Sequence, residues 1–279
     1  MKPYEKELEI AIKAAREAGK IVKASYAALK RDDVTEKRAN DMVTVVDIAS
    51  QESVVATLRA AFTDDFIVGE ENLETDTNRG IDENTSRRWY IDPLDGTTNY
   101  IHAYPMFAVS IALEVDGRVD LGVTFDPMRD EMFSATRGGG AFLNDRPIRV
   151  SNISDMRKTL LATGFPFRAR GYLDDYLKTF RYFFNNSRGI RRAGSATLDL
   201  AYVAAGRVDA FWETTLAPWD MAAGVILVEE AGGRITDFFQ TKNLLETGHV
   251  VATNGTFHDW MCESIQNVFP VGTVFKPYE

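Results

Sequence analysis

The chain is poor in the residues that most hydrolytic and redox sites are built from. One cysteine, Cys262, stands alone in 279 residues, which excludes an intrachain disulfide and makes a reducing cytoplasm the simplest location. Three histidines, His102, His249 and His258, show no ligand spacing, so a zinc hydrolase is disfavoured. No Gly-x-Ser-x-Gly elbow is present, which argues against a serine hydrolase. There is no run of 18 apolar residues, so no transmembrane helix is expected, and the polar start Met1-Lys2-Pro3-Tyr4-Glu5 lacks the apolar core of a signal peptide. Positive charge is also short. A net charge of −9 argues against direct nucleic-acid binding, which needs a basic footprint. The local exception is Arg188, Arg191 and Arg192 with Arg181 nearby, a solvated or subunit-facing patch or an aid to attracting phosphate or a partner.

What is abundant is ordered patterning without linkers, repeats or low-complexity segments. Leu8, Ile12, Ala15, Gly19, Val22, Tyr26 and Leu29 recur at steps of three and four, predicting a helix over about 4–30. After a polar stretch at 31–41, Val43–Val46 leads to Asp47, placed to cap a helix over 48–62. Phe66-Ile67-Val68 reads as a strand, and 72–88 as a long surface loop. Residues 89–150 look β-rich, with strands at 107–113 and 119–125 about an Asp116-Gly117 turn. Gly138-Gly139-Gly140 lacks the following helix of a dinucleotide fingerprint and reads as a turn. From 159 onward strands (159–163, 189–193, 208–213, 233–237, 249–253) alternate with helices (172–186, 196–206, 219–231, 256–267). An α+β half over about 1–150 and an α/β half over about 151–279 are expected to share one core as a single domain.

The chemistry concentrates in Asp92-Pro93-Leu94-Asp95-Gly96-Thr97-Thr98, directly after the apolar Trp89-Tyr90-Ile91. Two carboxylates crowded on one turn are costly unless a cation sits there, and oxygen-only donors suit a hard divalent ion such as Mg²⁺. Asp47, Glu70 and Asp220 also stand at element ends, on the rim where α/β proteins place sites. Taken singly, Asp47 and Asp220 are equally well read as helix caps, and Glu70-Glu71 as surface charge. An aspartyl-phosphate phosphatase of the haloacid dehalogenase type needs two aspartates separated by one residue; Asp92 and Asp95 are separated by two.

Gly69-Glu70-Glu71, Asp92 through Asn99, Gly194-Ser195-Ala196, and Trp219-Asp220 through Glu230-Ala231-Gly232-Gly233 resemble, in order and over nearly the whole chain, the inositol monophosphatase family of lithium-sensitive, Mg²⁺-dependent phosphatases. The resemblance implies a layered αβαβα sandwich of the sugar phosphatase type, usually a homodimer. It implies one Mg²⁺ held by Glu70, Asp92 and the Leu94 carbonyl, a second held by Asp92, Asp95 and Asp220, and a weaker third near Glu70 through waters. Phosphate would rest on the amides of Gly96, Thr97, Gly194 and Ser195 at helix starts, which favour anions. Glu70 and Thr97, supported by Asp47, would orient and deprotonate the attacking water. Glu213 would read the hydroxyls of a polyol, with a small contact from Ala196. The implied substrate is inositol 1-phosphate or a similar polyol monophosphate. Fructose 1,6-bisphosphate, adenosine 3′,5′-bisphosphate and histidinol phosphate are the alternatives, and Thr163-Gly164-Phe165-Pro166-Phe167 resembles the bacterial branch, where range is often broad. A regulatory partner bound at the arginine patch is a further possibility beside catalysis.

Overall fold

A computed structural model of the chain describes residues 4–26, 28, 34–38, 41–71, 78, 81–83, 85–167 and 169–273. Helix α1 (Glu5–Ser25) carries Glu5 and Glu7 in its first turn and Lys23 in its last, matching the helix dipole. It buries Ala11, Ala14, Ala15, Ala18, Gly19 and Val22, small residues that let the helix lie close to its neighbours. It stops short of the expected boundary at 30, and Leu29 lies outside the described residues. The polar stretch before the second helix is not a plain loop: β1 (Val34–Arg38) and β2 (Asp41–Thr44) pair antiparallel. Val34-Thr35-Glu36-Lys37-Arg38 has no alternating apolar face, so nothing in its pattern announces a strand.

The chain continues through α2 (Val45–Ala61), β3 (Phe66–Gly69), β4 (Arg87–Asp95), α3 (Thr97–Ile101), β5 (Ala108–Val115), β6 (Arg118–Asp126), β7 (Glu131–Thr136), β8 (Gly140–Leu143) and β9 (Arg146–Pro147). Strands β3 to β9 form a seven-stranded sheet in chain order, antiparallel except for the parallel pair β3–β4. The three glycines at 138–140 make the β7–β8 turn as expected, and the Glu230 carboxylate accepts hydrogen bonds from the amides of Gly138 and Gly140, both at 2.9 Å. The expected loop at 72–88 falls largely outside the described residues, and its last two positions open β4.

The second half contains β10 (Leu160–Thr163), α4 (Leu173–Asn186), β11 (Gly189–Arg191), α5 (Ala196–Ala204), β12 (Ala210–Glu213), α6 (Pro218–Glu230), β13 (Arg234–Thr236), α7 (Leu244–Thr247), β14 (Val250–Thr253) and α8 (His258–Gln266). Its sheet has the order β11-β10-β12-β14-β13. β10 runs parallel to β11 and β12, while β14 is antiparallel to both its neighbours. The short α7 has no counterpart in the sequence reading; four residues are too few for a helical period to register.

Helices α5 and α6 are buried on nearly every face because both sheets pack on them. Gly122 of β6 permits this on one side: a Cβ there would fall 2.6 Å from Ile226 and 2.7 Å from the Ala223 carbonyl oxygen. Helices α1 and α2 cover the other face of the large sheet, with Trp89, Ile91 and Leu94 in the core between them. Tyr176 and Phe183 of α4 and Met261, Cys262 and Ile265 of α8 cover the outer face of the small sheet. Burying each such side chain contributes roughly 1.5–3 kcal/mol. The result is the five-layer αβαβα sandwich.

Candidate active site

In a regular strand Asp92 and Asp95, three apart, would point to opposite faces of the sheet. They do not. Asp92 pairs with Ser110 and Asp95 with Ala108, so three steps on β4 oppose two on β5, and the bulge lies at Pro93-Leu94. The extra residue restores parity: Trp89, Ile91 and Leu94 pack toward α1 and α2, and Tyr90, Asp92 and Asp95 face α5 and α6. Pro93 cannot donate to the ladder, which suits it to a bulge. The turn is held by the Leu94 amide donating to Asp92 Oδ1 at 3.0 Å and by Ser50 Oγ donating to the Pro93 carbonyl at 2.7 Å. Gly96 follows with φ 96°, a conformation that favours glycine, and opens α3.

Helix α2 braces this turn from behind. Its N-cap is Thr44, not Asp47: the Thr44 hydroxyl accepts from the amides of Val46 and Asp47, and Asp47 Oδ2 accepts from the Thr44 amide at 2.9 Å. Asp47 is therefore the acidic member of a capping box at the third helical position, and the helix begins at Val45, ahead of the expected start at 48. Its second oxygen accepts from Thr97 Oγ1 at 3.0 Å. One turn later the Gln51 side chain clamps the backbone of Glu71, accepting from its amide at 2.9 Å and donating to its carbonyl. Glu70, whose amide donates to the Ile91 carbonyl at 3.1 Å, is thus fixed from both sides.

The remaining predicted residues arrive from the second half. Asp95 Oδ2 accepts from Ser195 Oγ at 2.6 Å and from the Thr197 amide and hydroxyl at 2.8 and 2.6 Å, tying β4 to the start of α5. Gly194, with φ 86°, and the N-cap Ser195 bring the backbone into position, and Asn99 Nδ2 lies 2.9 Å and 3.1 Å from the carbonyls of Ala193 and Gly194. Asp220 is also no cap residue. It is the third residue of α6, whose N-cap is Ala217, and its Oδ2 accepts from the Ala217 amide at 2.7 Å. Glu213 ends β12. A cleft of about 270 Å³ is lined by Glu70, Asp92, Leu94, Asp95, Gly96, Thr97, Gly194, Ser195, Ala196, Glu213 and Asp220. Of the predicted site residues only Asp47 is absent from that lining, fully buried with its carboxylate on the Thr97 hydroxyl.

This cleft concentrates negative charge where water is scarce. Burial first, then Glu70, Asp95 and Asp220, push the Asp92 carboxyl well above its ordinary range. Burial and Asp220 raise Asp95 to about 6 against the donors from Ser195 and Thr197. Burial raises Asp47 to about 6 as well, partly offset by Thr44 and Thr97. Among the described residues no three acidic, histidine or cysteine side chains close into a tight ligand cluster, and Asp92, Asp95 and Asp220 each turn one oxygen toward protein donors. Their chemistry nonetheless fits a hard cation: buried, oxygen-only and short of positive charge.

Several residues that line or brace the site were missed. Asp199 on α5 carries no motif and sits in an apolar helical run. Gln51 and Ser50 read as ordinary helix polar residues. Arg192 lines the cleft and stacks over Phe165, with 6.0 Å to the ring centroid. The arginine patch is therefore split, since Arg181, Arg188 and Arg191 are exposed elsewhere. His249 and His258 are core residues, bonded to Thr214 (2.8 Å) and to Thr236 (2.8 Å) and Thr253 (3.2 Å), and Cys262 is buried and unbridged.

The five-layer sandwich, with acidic residues gathered where β4 meets the starts of α3, α5 and α6, defines a protein of the sugar-phosphatase class. The chain belongs to the inositol monophosphatase family, which it matches over residues 4–269. It is 49% identical over 265 residues to the Nus factor SuhB of Pseudomonas aeruginosa, covering 94% of this chain and 97% of that protein. Among solved structures it is similar to the extragenic suppressor protein suhB from Bartonella henselae, with 37% identity, a TM-score of 0.88 and coverage of 96% and 100%. It is also similar to the inositol monophosphatase from Anabaena, with 39% identity, a TM-score of 0.83 and coverage of 96% and 98%. Family membership supports phosphatase activity in general and a metal requirement. No helix among the described residues is long and apolar enough to cross a membrane.

Proposed function

We propose that this protein is a Mg²⁺-dependent phosphomonoesterase that hydrolyses inositol 1-phosphate or a similar polyol monophosphate to the free alcohol and phosphate. The observation that carries this reading is the buried Asp92 carboxyl gathered in one cleft with Glu70, Asp95 and Asp220, whose charges oppose its ionisation. Glu70, Asp92, the Leu94 carbonyl, Asp95 and Asp220 would hold two to three ions, Asp92 being shared. When bound, such ions supply Lewis-acid polarisation of the phosphoryl group, a lowered pKa for water and charge neutralisation at the leaving oxygen.

The chain's own groups then divide the work. The Thr97 hydroxyl has one proton, which it can give to Asp47 at 3.0 Å or the Leu94 carbonyl at 3.1 Å, leaving its lone pairs to accept from a water. Glu70 takes that water's second proton as the water oxygen attacks phosphorus in line; the bond from phosphorus to the alcohol oxygen breaks on the far side, and the leaving alkoxide takes a proton from solvent water to give the free alcohol. The amides of Gly96, Thr97, Gly194 and Ser195 hold phosphate oxygens, and Ala196 packs beside them. Glu213 accepts hydrogen bonds from the polyol and disfavours a second phosphate, which argues for monophosphates over fructose 1,6-bisphosphate. Initial rates on a phosphate panel with Mg²⁺, with chelator and with Li⁺ test this. Preference for a bisphosphate overturns the role of Glu213, and activity undiminished by chelator overturns the metal assignment. A single cytoplasmic domain, acting as a homodimer, completes the reading.

A second role as a regulatory binding protein is favoured by the Nus factor relatives. The exposed Leu177, Arg181 and Phe184 of α4 offer a surface remote from the cleft lining. Substitution there should leave hydrolysis of a small ester unchanged.

A further inference from the structure

Among the carboxyls that line the cleft, Asp199 is the one to which the metal, phosphate and polyol contacts proposed above give no role. It lies on α5, one turn beyond Ser195, and is only 3% exposed. It nevertheless lines the cleft, and among the described residues its carboxyl takes part in no hydrogen bond. Its oxygens are not sealed off as buried orphans, so they stand open to whatever enters the cleft.

The neighbours define what that something is. Burial first, then Glu213 and Asp95, push the Asp199 carboxyl well above the ordinary range, against the opposing charge of Arg192. Glu213 itself presses on the Gly164 backbone, where a Cβ would meet its Oε1 at 1.9 Å. Thr163 is no competitor for a ligand, because its hydroxyl is engaged with Gly164, Tyr176 and the Trp212 carbonyl. Asp199 and Glu213 thus both line the cleft and act on one another electrostatically. A carboxyl oxygen accepts from a neutral hydroxyl, which is a ready donor. A second phosphate would be repelled by the pair. An ammonium group would meet Arg192.

We propose that Asp199 is a second specificity residue at the alcohol end of the cleft, contacting a hydroxyl of the leaving polyol beside Glu213. This rests on the polyol-monophosphatase reading above.

The test is the ratio of kcat/KM for inositol 1-phosphate to kcat/KM for 4-nitrophenyl phosphate, which offers no hydroxyl. It is measured with Mg²⁺ for the wild type, D199L and D199N. The ratio should fall at least tenfold in D199L and about threefold in D199N, with the nitrophenyl rate held within threefold. An unchanged ratio in D199N, or an equal loss on both esters, overturns the proposal whether or not D199L folds. A wild type showing no preference for the polyol overturns the parent reading as well, so the two failures are told apart before any variant is made.

Discussion

Ser195 donates its hydroxyl to Asp95 Oδ2 at 2.6 Å across one hundred residues of sequence, joining the acidic turn of the first half to the first turn of α5 in the second. The same oxygen takes two bonds from Thr197. The site is therefore assembled only when both halves are in place, and the geometry of Asp95 depends on hydroxyls that hold no ion themselves.

Removing one of those hydroxyls should loosen the junction. Thr197→Val keeps the shape and deletes the 2.6 Å bond to Asp95. The expected loss is about 1–3 kcal/mol, since the acceptor is a buried carboxylate. Thermal unfolding without metal should show a fall of several degrees. An unchanged midpoint would mean that the bond contributes nothing.

Asp92→Asn should keep the fold and lose well over 10²-fold in turnover, about 3 kcal/mol or more. Because the substitution removes a carboxylate crowded by Glu70, Asp95 and Asp220, the variant should also melt no lower than the wild type in chelator at neutral pH. Normal turnover would sink the metal assignment. A much lower melting point would show that Asp92 is structural.

The pH dependence follows from raised carboxyls and lowered imidazoles. Asp47 and Asp95 each titrate near 6 in the folded chain against an ordinary 3.8, so each costs the fold stability as pH rises from about 4 to 6. The full penalty, about 3 kcal/mol per group, stands above pH 6. His249 and His258, buried near pKa 4 against 6.5, act in the opposite sense: they contribute stability above about 6.5 that is lost as pH falls toward 4. Mg²⁺ competes with protons for the carboxylates alone. Its stabilisation in differential scanning calorimetry should be larger at pH 7.5 than at pH 5; an equal shift at both would contradict carboxylate binding.

Gln51→Ala should act at a distance from the chemistry. It removes both bonds to the Glu71 backbone and frees the residue beside it, Glu70. The Mg²⁺ concentration for half-maximal rate should rise about tenfold, equivalent to about 1.4 kcal/mol, with saturating metal restoring most of kcat. A loss of kcat that metal does not rescue would place Gln51 in the chemistry rather than in positioning Glu70.

Much of the site was legible because its determinants are local. A turn that carries two carboxylates, a proline and a glycine can be read from seven consecutive residues, and Gly194-Ser195 before an apolar run marks a helix start from two. Element types followed the periodicities. The failures also have local causes: β1 has no apolar face to announce it, α7 is too short for a period, and Asp47 and Asp220 were placed at caps because the true cap positions, Thr44 and Ala217, lie three residues earlier. An acidic residue at the third helical position accepts from the N-cap amide, whereas an N-cap side chain accepts from the second and third amides of the helix, but both put an acid at a helix start and so look alike in sequence.

The sequence by itself determined the alternating strands and helices, the acidic turn at Asp92–Thr98 and the helix starts that could receive an anion, all properties of backbone conformation within a few residues. The tertiary structure alone decided which face those acids share and what they meet. The bulge at Pro93-Leu94 is defined by pairing with β5, and it turns Asp92 and Asp95 to one side. Asp47 behind Thr97 and Gln51 on Glu71 are contacts between segments far apart in the chain, and Asp199 and Glu213 come to line one cleft from different elements. Side-chain hydrogen bonds act over a few ångströms, and only the packing of α2 on the large sheet, and of both sheets about α5 and α6, brings these groups together.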